Sequence, residues 1–338
     1  DKLPFEKLNL LTHMQDELYN RVKEGKIQYK RVRDDIYPFM DLCFELVSIA
    51  DDSDLKDEFA RWNQAFNVID GEEEDGLRIA EQRGRDLLLR FIPMSVGAEF
   101  TTGLHQAALS SVFISATLTT NGSFDYFLRE TGLDNVTTAM MPSVFEMKQQ
   151  ARLLVPQVPY DKRDAAMKKL VERVNGSVLI ICNSLKRMQE LIDYLSEAQE
   201  KVVFSQDDGD WSTFTSNENI VLVGCASLRE GIDLAGGDFR CVIIDKLPFE
   251  YYQDLYLVQK AKIVEAEVGN SFLNFNLPRA VLYFKQAVGR LIRHESDKGL
   301  IAVFDERILT KSYGAAFLET VQGAALVPTL DEALRFLD

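Results

Sequence analysis

The chain has 338 residues, 46% of them hydrophobic, which is enough to bury the cores of about two domains. Its formal net charge of −15 argues against a uniformly basic nucleic-acid-binding surface, although one local basic groove would suffice for a strand. The sequence lacks a signal-peptide pattern and any apolar run of the roughly 18 residues that a membrane helix needs, so no membrane association is expected.

The cysteines and histidines predict no metal site. Cys43, Cys182, Cys225 and Cys241 include no C-x₂-C pair, and the last three lie in apolar runs where buried reduced thiols are expected. The three histidines are too far apart in sequence to suggest a cluster.

The first part of the chain has the residue spacing of helices. Apolar residues from Leu8 to Val22 recur at intervals of three and four, and residues 37–50 repeat the pattern. Helical structure is therefore predicted to about residue 66. Two short apolar runs follow at 86–91 and 111–115, and the second predicts a strand over 112–114.

From residue 137 onward, short apolar runs alternate with amphipathic stretches. The predicted strands are 178–182, 202–204, 220–223, 241–244 and 300–304, and the predicted helices are 185–195 and 284–292. This alternation indicates an α/β domain with a mainly parallel sheet.

Three segments have residue types suited to chemistry. In the first, Ser115, Ala116 and Thr117 follow the predicted strand at 112–114. Small hydroxyl residues at the end of a strand present donors to a ligand or to another loop. The same residues would also serve as an ordinary cap between a strand and a turn.

The second segment lies between two predicted strands and contains Glu230, Gly231 and Asp233. The ends of parallel strands are where α/β sheets bind ligands, and the glycine permits close backbone approach. The two carboxylates would orient an arginine or a phosphate-bound metal ion. An acidic surface loop is an equally good interpretation of this segment alone.

The third segment contains Gln286, Arg290 and Arg293, which are four and then three residues apart. On a helix this spacing directs the three side chains to one face. Two arginines on one face suit a polyphosphate, because guanidinium groups match phosphate oxygens and keep their charge. The alternative is a solvated basic helix face.

In this order, the three segments resemble motifs III, V and VI of superfamily 2 helicases of the DinG/XPD branch. Within that branch, the sequence resembles bacterial DinG- and YoaA-like enzymes. Residues 245–249, 297–299 and 305–307 also resemble that branch, and the resemblance covers roughly residues 80–320. A leucine and an arginine stand at 228–229, where the branch usually has an aromatic pair.

The resemblance implies an α/β fold: a RecA-like parallel-sheet helicase domain preceded by a helical, arch-like segment. The expected organisation is a helical arch-like insertion at 1–80, the C-terminal part of a first RecA-like domain with motif III at 81–136, and a second RecA-like domain with motifs IV to VI at 137–338. Such enzymes clamp ATP between two RecA-like domains and translocate on single-stranded DNA.

The resemblance also assigns roles to residues. Arg290 and Arg293 would reach the γ-phosphate of ATP as arginine fingers, with Gln286 as a supporting polar contact. Glu230, Gly231 and Asp233 would position the nucleotide or the arginines. Ser115, Ala116 and Thr117 would couple the nucleotide state to the grip on DNA, and Asn183 and Ser184 would lie near the DNA backbone.

Several parts of such an enzyme are missing from this sequence. It contains no G-x-x-x-x-G-K-[ST] segment and no Asp-Glu-x-His box, so the main ligands of ATP and Mg²⁺ are expected upstream, as is an iron–sulfur cluster. The chain is accordingly interpreted as a fragment that does not hydrolyse ATP alone. Expected partners are single-stranded DNA, the upstream first RecA-like domain and, through residues 317–337, a replication or clamp-loader protein in the bacterial cytoplasm.

Two other functions compete with this interpretation. A non-catalytic RecA-like binding or regulatory module that acts through protein contacts is favoured by the acidic charge, but it has no need of Gln286, Arg290 and Arg293. A nuclease or other phosphate-ester hydrolase would need clustered carboxylates and histidines, which the sequence does not show.

Overall fold

The protein is described here by a computed structural model, which covers residues 5–22, 26–49, 53–70, 76–83, 86–197, 201–208, 219–225, 239–292 and 294–338. The chain forms two compact units. The first comprises Asp1–Gln106, Glu130–Gly132 and Tyr251–Glu267, and the second comprises Ala107–Arg129, Leu133–Glu250 and Val268–Asp338. Within the described ranges, no helix is both long and apolar enough to span a bilayer.

Helices and a small antiparallel sheet form the first unit. Its elements are α1 (Phe5–Val22), β1 (Lys26–Gln28), α2 (Arg33–Ile49), α3 (Ser53–Ile69), β2 (Gly76–Arg83), β3 (Asp86–Pro93) and α4 (Gly97–Ala107). β2 pairs with β1 on one side and with β3 on the other.

The helices α1, α2 and α3 confirm the helical prediction for the N-terminal segment. The prediction missed β1, because a strand of three residues is too short to show alternation and forms only by pairing with β2. β2 crosses residue 80, so the predicted domain boundary at that residue falls inside a strand.

A hydrogen-bonded carboxylate ties α2 to the end of α3. Asp70 accepts hydrogen bonds from the Tyr37 hydroxyl, from Nε of Arg33 at 2.9 Å and from the Tyr29 hydroxyl at 3.3 Å. Partial burial alone would raise the pKa of Asp70, but these hydrogen bonds bring the pKa below its ordinary value.

A parallel sheet of seven strands forms the second unit. The strands are β4 (Ala151–Leu154), β5 (Ser177–Ile181), β6 (Val202–Ser205), β7 (Ile220–Gly224), β8 (Phe239–Ile244), β9 (Gly299–Val303) and β10 (Ala325–Val327). Their spatial order is β10-β4-β9-β8-β5-β7-β6, and every neighbouring pair is parallel. The predicted α/β fold and the five predicted strands after residue 137 are confirmed.

Both faces of this sheet are buried. Along β5, Leu179 and Ile181 pack into one hydrophobic cluster, whereas Val178 and Ile180 pack into the other. Successive side chains of a strand point to opposite faces, so a run that is apolar at every position suits a strand covered on both sides.

Helices cover the sheet and connect its strands. The helices of the second unit that pack on or connect its strands are α6 (Met147–Gln150), α7 (Arg163–Arg173), α8 (Leu185–Ser196), α10 (Leu277–Val288), α11 (Arg307–Thr310), α12 (Gly314–Thr320) and α13 (Leu330–Leu337). Two further helices are α5 (Asp125–Thr131), which precedes β4 in the chain, and α9 (Leu255–Val268), nearly all of which belongs to the first unit. The predicted helix at 185–195 is confirmed as α8, which Ser184 caps by accepting a hydrogen bond from the backbone N–H of Arg187.

The structure corrects two local predictions. Residues 112–114 form no strand, and Val112 and Ile114 are almost fully exposed. An apolar run becomes a strand only where a neighbour pairs with its backbone, and no described strand lies beside this one. The predicted helix at 284–292 begins earlier, at Leu277, and ends earlier, at Val288.

Candidate functional site

The carboxyl ends of the central strands lie side by side. In the parallel register, Ile181 of β5 pairs with Ile244 of β8, and Ile244 pairs with Val303 of β9. The residues that follow these strands therefore meet at one edge of the sheet, which is where α/β folds place ligands. We call this the carboxyl edge.

A partly buried arginine joins two carboxylates at the carboxyl edge. Arg187 of α8 donates to Asp245, which follows β8, through Nε at 3.1 Å and Nη2 at 3.0 Å. It also donates to Asp164 of α7, with Nη1 at 2.9 Å. Hydrogen bonds to Asp164 and Asp245 raise the pKa of Arg187, and two bidentate contacts fix the guanidinium plane.

The backbone of Leu247, which follows β8, is hydrogen-bonded to the residues that follow β9 and β5. Its N–H donates to Oδ2 of Asp305 at 2.9 Å, and its carbonyl accepts from Nδ2 of Asn183 at 2.8 Å. Burial alone would raise the pKa of Asp305, but hydrogen bonds from Arg307 and from Leu247 bring that pKa below its ordinary value. The polar groups of this edge are thus held in place by one another.

The two predicted DNA-contacting residues lie at the carboxyl edge and are exposed. Asn183 presents its amide oxygen while its nitrogen is held by Leu247. Ser184 begins α8 as its cap. These positions agree with a contact to a ligand, whereas the identity of that ligand stays a prediction.

The predicted residues of the third segment lie elsewhere. Gln286 is in the last turn of α10, and Arg290 follows in a turn in which its N–H donates to the Ala287 carbonyl at 3.2 Å. Leu291 packs against Gly299, the first residue of β9. The end of α10 therefore lies near the amino end of β9, at the opposite edge from Asn183.

Gln286 has an unusual environment. Its Oε1 atom is buried and accepts no hydrogen bond within the described part of the chain. A buried acceptor left without a donor costs roughly 1–3 kcal/mol, and such atoms are rare in native proteins. The one-face arrangement predicted for Gln286, Arg290 and Arg293 stays a prediction, because Arg293 lies outside the described residues.

Gln150 holds the loop that follows Arg293, a role that no sequence pattern predicts. This buried side chain precedes β4 and donates through Nε2 to the carbonyl of His294 at 2.8 Å, and at 3.2 Å to those of Glu295 and Asp297. Its Oε1 accepts from the N–H of Glu146 at 2.8 Å. All its amide groups are thereby used in positioning backbone.

The remaining predicted residues fall into two groups. Glu230, Gly231 and Asp233 lie outside the described residues. Ser115 and Thr117 contact each other, with their hydroxyl oxygens 3.0 Å apart and the Thr117 N–H donating to Ser115 at 3.1 Å. Ser115 and the neighbouring Ala116 are exposed, which leaves their predicted coupling role a prediction.

Comparison with known proteins agrees with this architecture. Residues 167–324 match the family of helicase C-terminal domains. Two solved XPD structures are similar in fold. One, an XPD helicase, has a TM-score of 0.60 at 16% identity and covers 96% of this chain and 62% of that chain. The other, an apo XPD, has a TM-score of 0.61 at 18% identity and covers 94% and 69%.

Three curated relatives are named ATP-dependent DNA helicases. YoaA of Escherichia coli is 32% identical over 269 residues, covering 76% of this chain and 42% of the relative. YoaA of Haemophilus influenzae is 29% identical with the same coverage. DinG of Photobacterium profundum is 28% identical over 257 residues, covering 70% and 37%. The chain thus spans about two fifths of the length of these relatives.

The second unit has the RecA-like fold of helicase motor domains. The chain contains a C-terminal helicase region of the DinG/XPD type of superfamily 2.

Proposed function

We propose that this chain supplies the second motor lobe of an ATP-dependent DNA helicase that translocates on single-stranded DNA. Its relatives are named ATP-dependent DNA helicases, and its residues 167–324 match a helicase C-terminal domain. The observation that carries the proposal is the buried, unpartnered Oε1 of Gln286, one turn before Arg290. This acceptor is suited to a donor that arrives with a nucleotide or with a neighbouring lobe.

The described residues fit a nucleotide only in part. Gln286 and Arg290 would face the phosphates, together with Arg293, Glu230, Gly231 and Asp233. When bound, ATP supplies the phosphoryl group whose transfer to water drives such motors. Arg290 would stabilise the charge that develops on that group, because a guanidinium keeps its proton and matches phosphate oxygens. In this proposal, the first RecA-like lobe holds Mg²⁺ and the rest of the nucleotide.

The cysteines of this chain do not fit an iron–sulfur cluster. Such clusters need converging thiolates, whereas Cys43 belongs to the first unit and the other three are buried in the second. Burial raises the pKa of Cys182 and of Cys241, which favours the protonated thiol. A cluster in the whole enzyme would therefore be held by other cysteines.

DNA would contact the carboxyl edge. Asn183 and Ser184 are exposed there, where the side-chain amide of Asn183 donates to the Leu247 carbonyl and the hydroxyl of Ser184 accepts from the Arg187 N–H. Ser115, Ala116 and Thr117 would transmit the nucleotide state to this grip. A replication or clamp-loader protein is a further proposed partner, although Phe317, Val321 and Leu337 are buried and leave only part of residues 317–337 for contact.

The proposal is tested by the Arg290→Ala substitution in the full-length helicase that contains this chain. The kcat for DNA-stimulated ATP hydrolysis should fall by roughly 10³-fold, as for other arginine fingers, while the Kd for single-stranded DNA stays nearly unchanged. Arg335→Ala, at an exposed arginine on α13, is the control and should leave kcat at its normal value. An Arg290→Ala enzyme with normal kcat would contradict the proposal.

A further inference from the structure

An exposed tyrosine stands beside the carboxyl edge with two cations near its ring. Tyr160 is 71% exposed. The guanidinium carbon of Arg163 lies 5.2 Å from the ring centroid, and Nζ of Lys246 lies 5.5 Å from it. Most of the ring remains available to solvent, although burying an aromatic ring is favourable.

The surrounding backbone holds this ring in a fixed place. Tyr160 follows Pro159 and begins a single 3₁₀ turn, closed by a hydrogen bond of 3.0 Å from the Lys162 N–H to the Pro159 carbonyl. The turn leads directly into α7. The backbone at Lys246 is also held in place, because its neighbours Asp245 and Leu247 are both buried and hydrogen-bonded.

The local charge is positive in a protein of net charge −15. The nearby carboxylates of Asp164 and Asp245 are both bound to Arg187. Among the described residues, no salt bridge joins Arg163 or Lys246 to a carboxylate, and the exposed Asp161 is the main opposing charge at the turn. Arg163, Lys246 and the neighbouring Lys162 therefore form a small cationic patch around an aromatic ring.

We propose that Tyr160, Arg163 and Lys246 form a binding site for single-stranded nucleic acid, with one base stacked on Tyr160 and the flanking phosphates on the two cations. An aromatic platform within a basic groove is the general means of holding a single strand without regard to sequence. The site lies at the same edge as Asn183 and rests on the proposed DNA-binding function, which it deepens by naming the residue that stacks.

The site is tested with the full 338-residue chain and a fluorescent oligothymidylate. Tyr160→Ala should weaken binding by roughly 5- to 100-fold, the range for loss of one base–aromatic stack. Tyr160→Phe should bind nearly as the wild type, because the ring remains. Lys246→Gln should reduce the slope of log K against log salt by about one phosphate contact.

Tyr194 is the matched control. It is also an exposed tyrosine with a cation near its ring, Lys168 Nζ at 5.5 Å from the centroid. It lies in the last turn of α8, at the opposite end of that helix from Ser184 and the carboxyl edge. Tyr194→Ala should leave affinity unchanged. Photocrosslinking of an oligonucleotide that carries 5-iododeoxyuridine should place the adduct on Tyr160.

The outcomes separate this site from the proposed function. If the wild-type chain binds the strand and Tyr160→Ala binds equally well, the site is wrong while the helicase assignment stands. If Tyr160→Ala weakens ATP binding but not oligonucleotide binding, the ring holds a nucleotide and the site proposed here is overturned. A folded wild-type chain that binds no strand would contradict both the site and the DNA-binding part of the proposed function.

Discussion

The two edges of the seven-stranded sheet differ in how completely their polar groups are satisfied. At the carboxyl edge, Arg187, Asp245 and Asp305 are all engaged, and the exposed Asn183 is held by Leu247. At the end of α10, Gln286 keeps a buried acceptor without a donor within the described residues. The polar groups of the first edge are therefore already paired, whereas in the proposed function the buried acceptor at the end of α10 would pair with a donor from the nucleotide or from a neighbouring lobe.

The largest stability effect should come from the carboxyl edge. Asp245→Ala leaves Arg187 half-buried with one carboxylate instead of two, and breaking a buried ion pair costs roughly 3–5 kcal/mol. Urea unfolding measures the loss. Asp164→Ala should cost clearly less, because Asp164 is more exposed. Equal losses for the two variants would show that the edge is not held by its buried carboxylate.

Asp305 should contribute to stability in a pH-dependent way. The pKa of Asp305 is lower in the folded protein, so its ionised form stabilises the fold above the unfolded pKa of about 3.9. This contribution is lost as the pH falls through the folded pKa.

Asp305→Asn should therefore lower the free energy of unfolding by roughly 1.5–3 kcal/mol at pH 7, and the difference from the wild type should shrink below about pH 4. Urea unfolding at pH 7 and pH 3 measures this. Glu306→Gln, at the exposed neighbour, is the control and should change little. A difference that is independent of pH would rule out this role for the carboxylate.

The smallest stability effect is expected at Gln286. Gln286→Met keeps the side-chain size but removes the unpartnered acceptor, so the free energy of unfolding should stay unchanged or rise by up to about 1 kcal/mol. Gln150→Met makes the same change at a fully hydrogen-bonded glutamine and should cost roughly 1–3 kcal/mol. Thermal unfolding compares them, and equal losses would mean that Gln286 is satisfied in solution.

The sheet was predictable from local sequence, and the carboxyl-edge network was not. Runs such as 178–182 are apolar at every position and flanked by turns, so they identify buried parallel strands without further information. Arg187, by contrast, meets Asp164 and Asp245 across 23 and 58 residues of sequence. No periodicity predicts such pairs, because the fold alone brings them together.

At the candidate site, too, local sequence patterns predict the elements but not the contacts between distant residues. The spacing of Gln286 and Arg290 identified the end of α10, but the helix stops at Val288 and Gln150 supports the next loop from 144 residues away. Residues 112–114 were predicted as a strand from apolarity alone and are not one, since strand formation depends on a partner.

The proposed division of function places ATP chemistry at the end of α10 and DNA contact at the carboxyl edge. Its most direct test measures kcat for ATP hydrolysis and Kd for single-stranded DNA in the same full-length helicase, for Arg290→Ala and for Asn183→Ala. Arg290→Ala should lower kcat with little change in Kd, and Asn183→Ala should raise Kd with little change in kcat at saturating DNA. Variants that change both quantities in parallel would contradict the division.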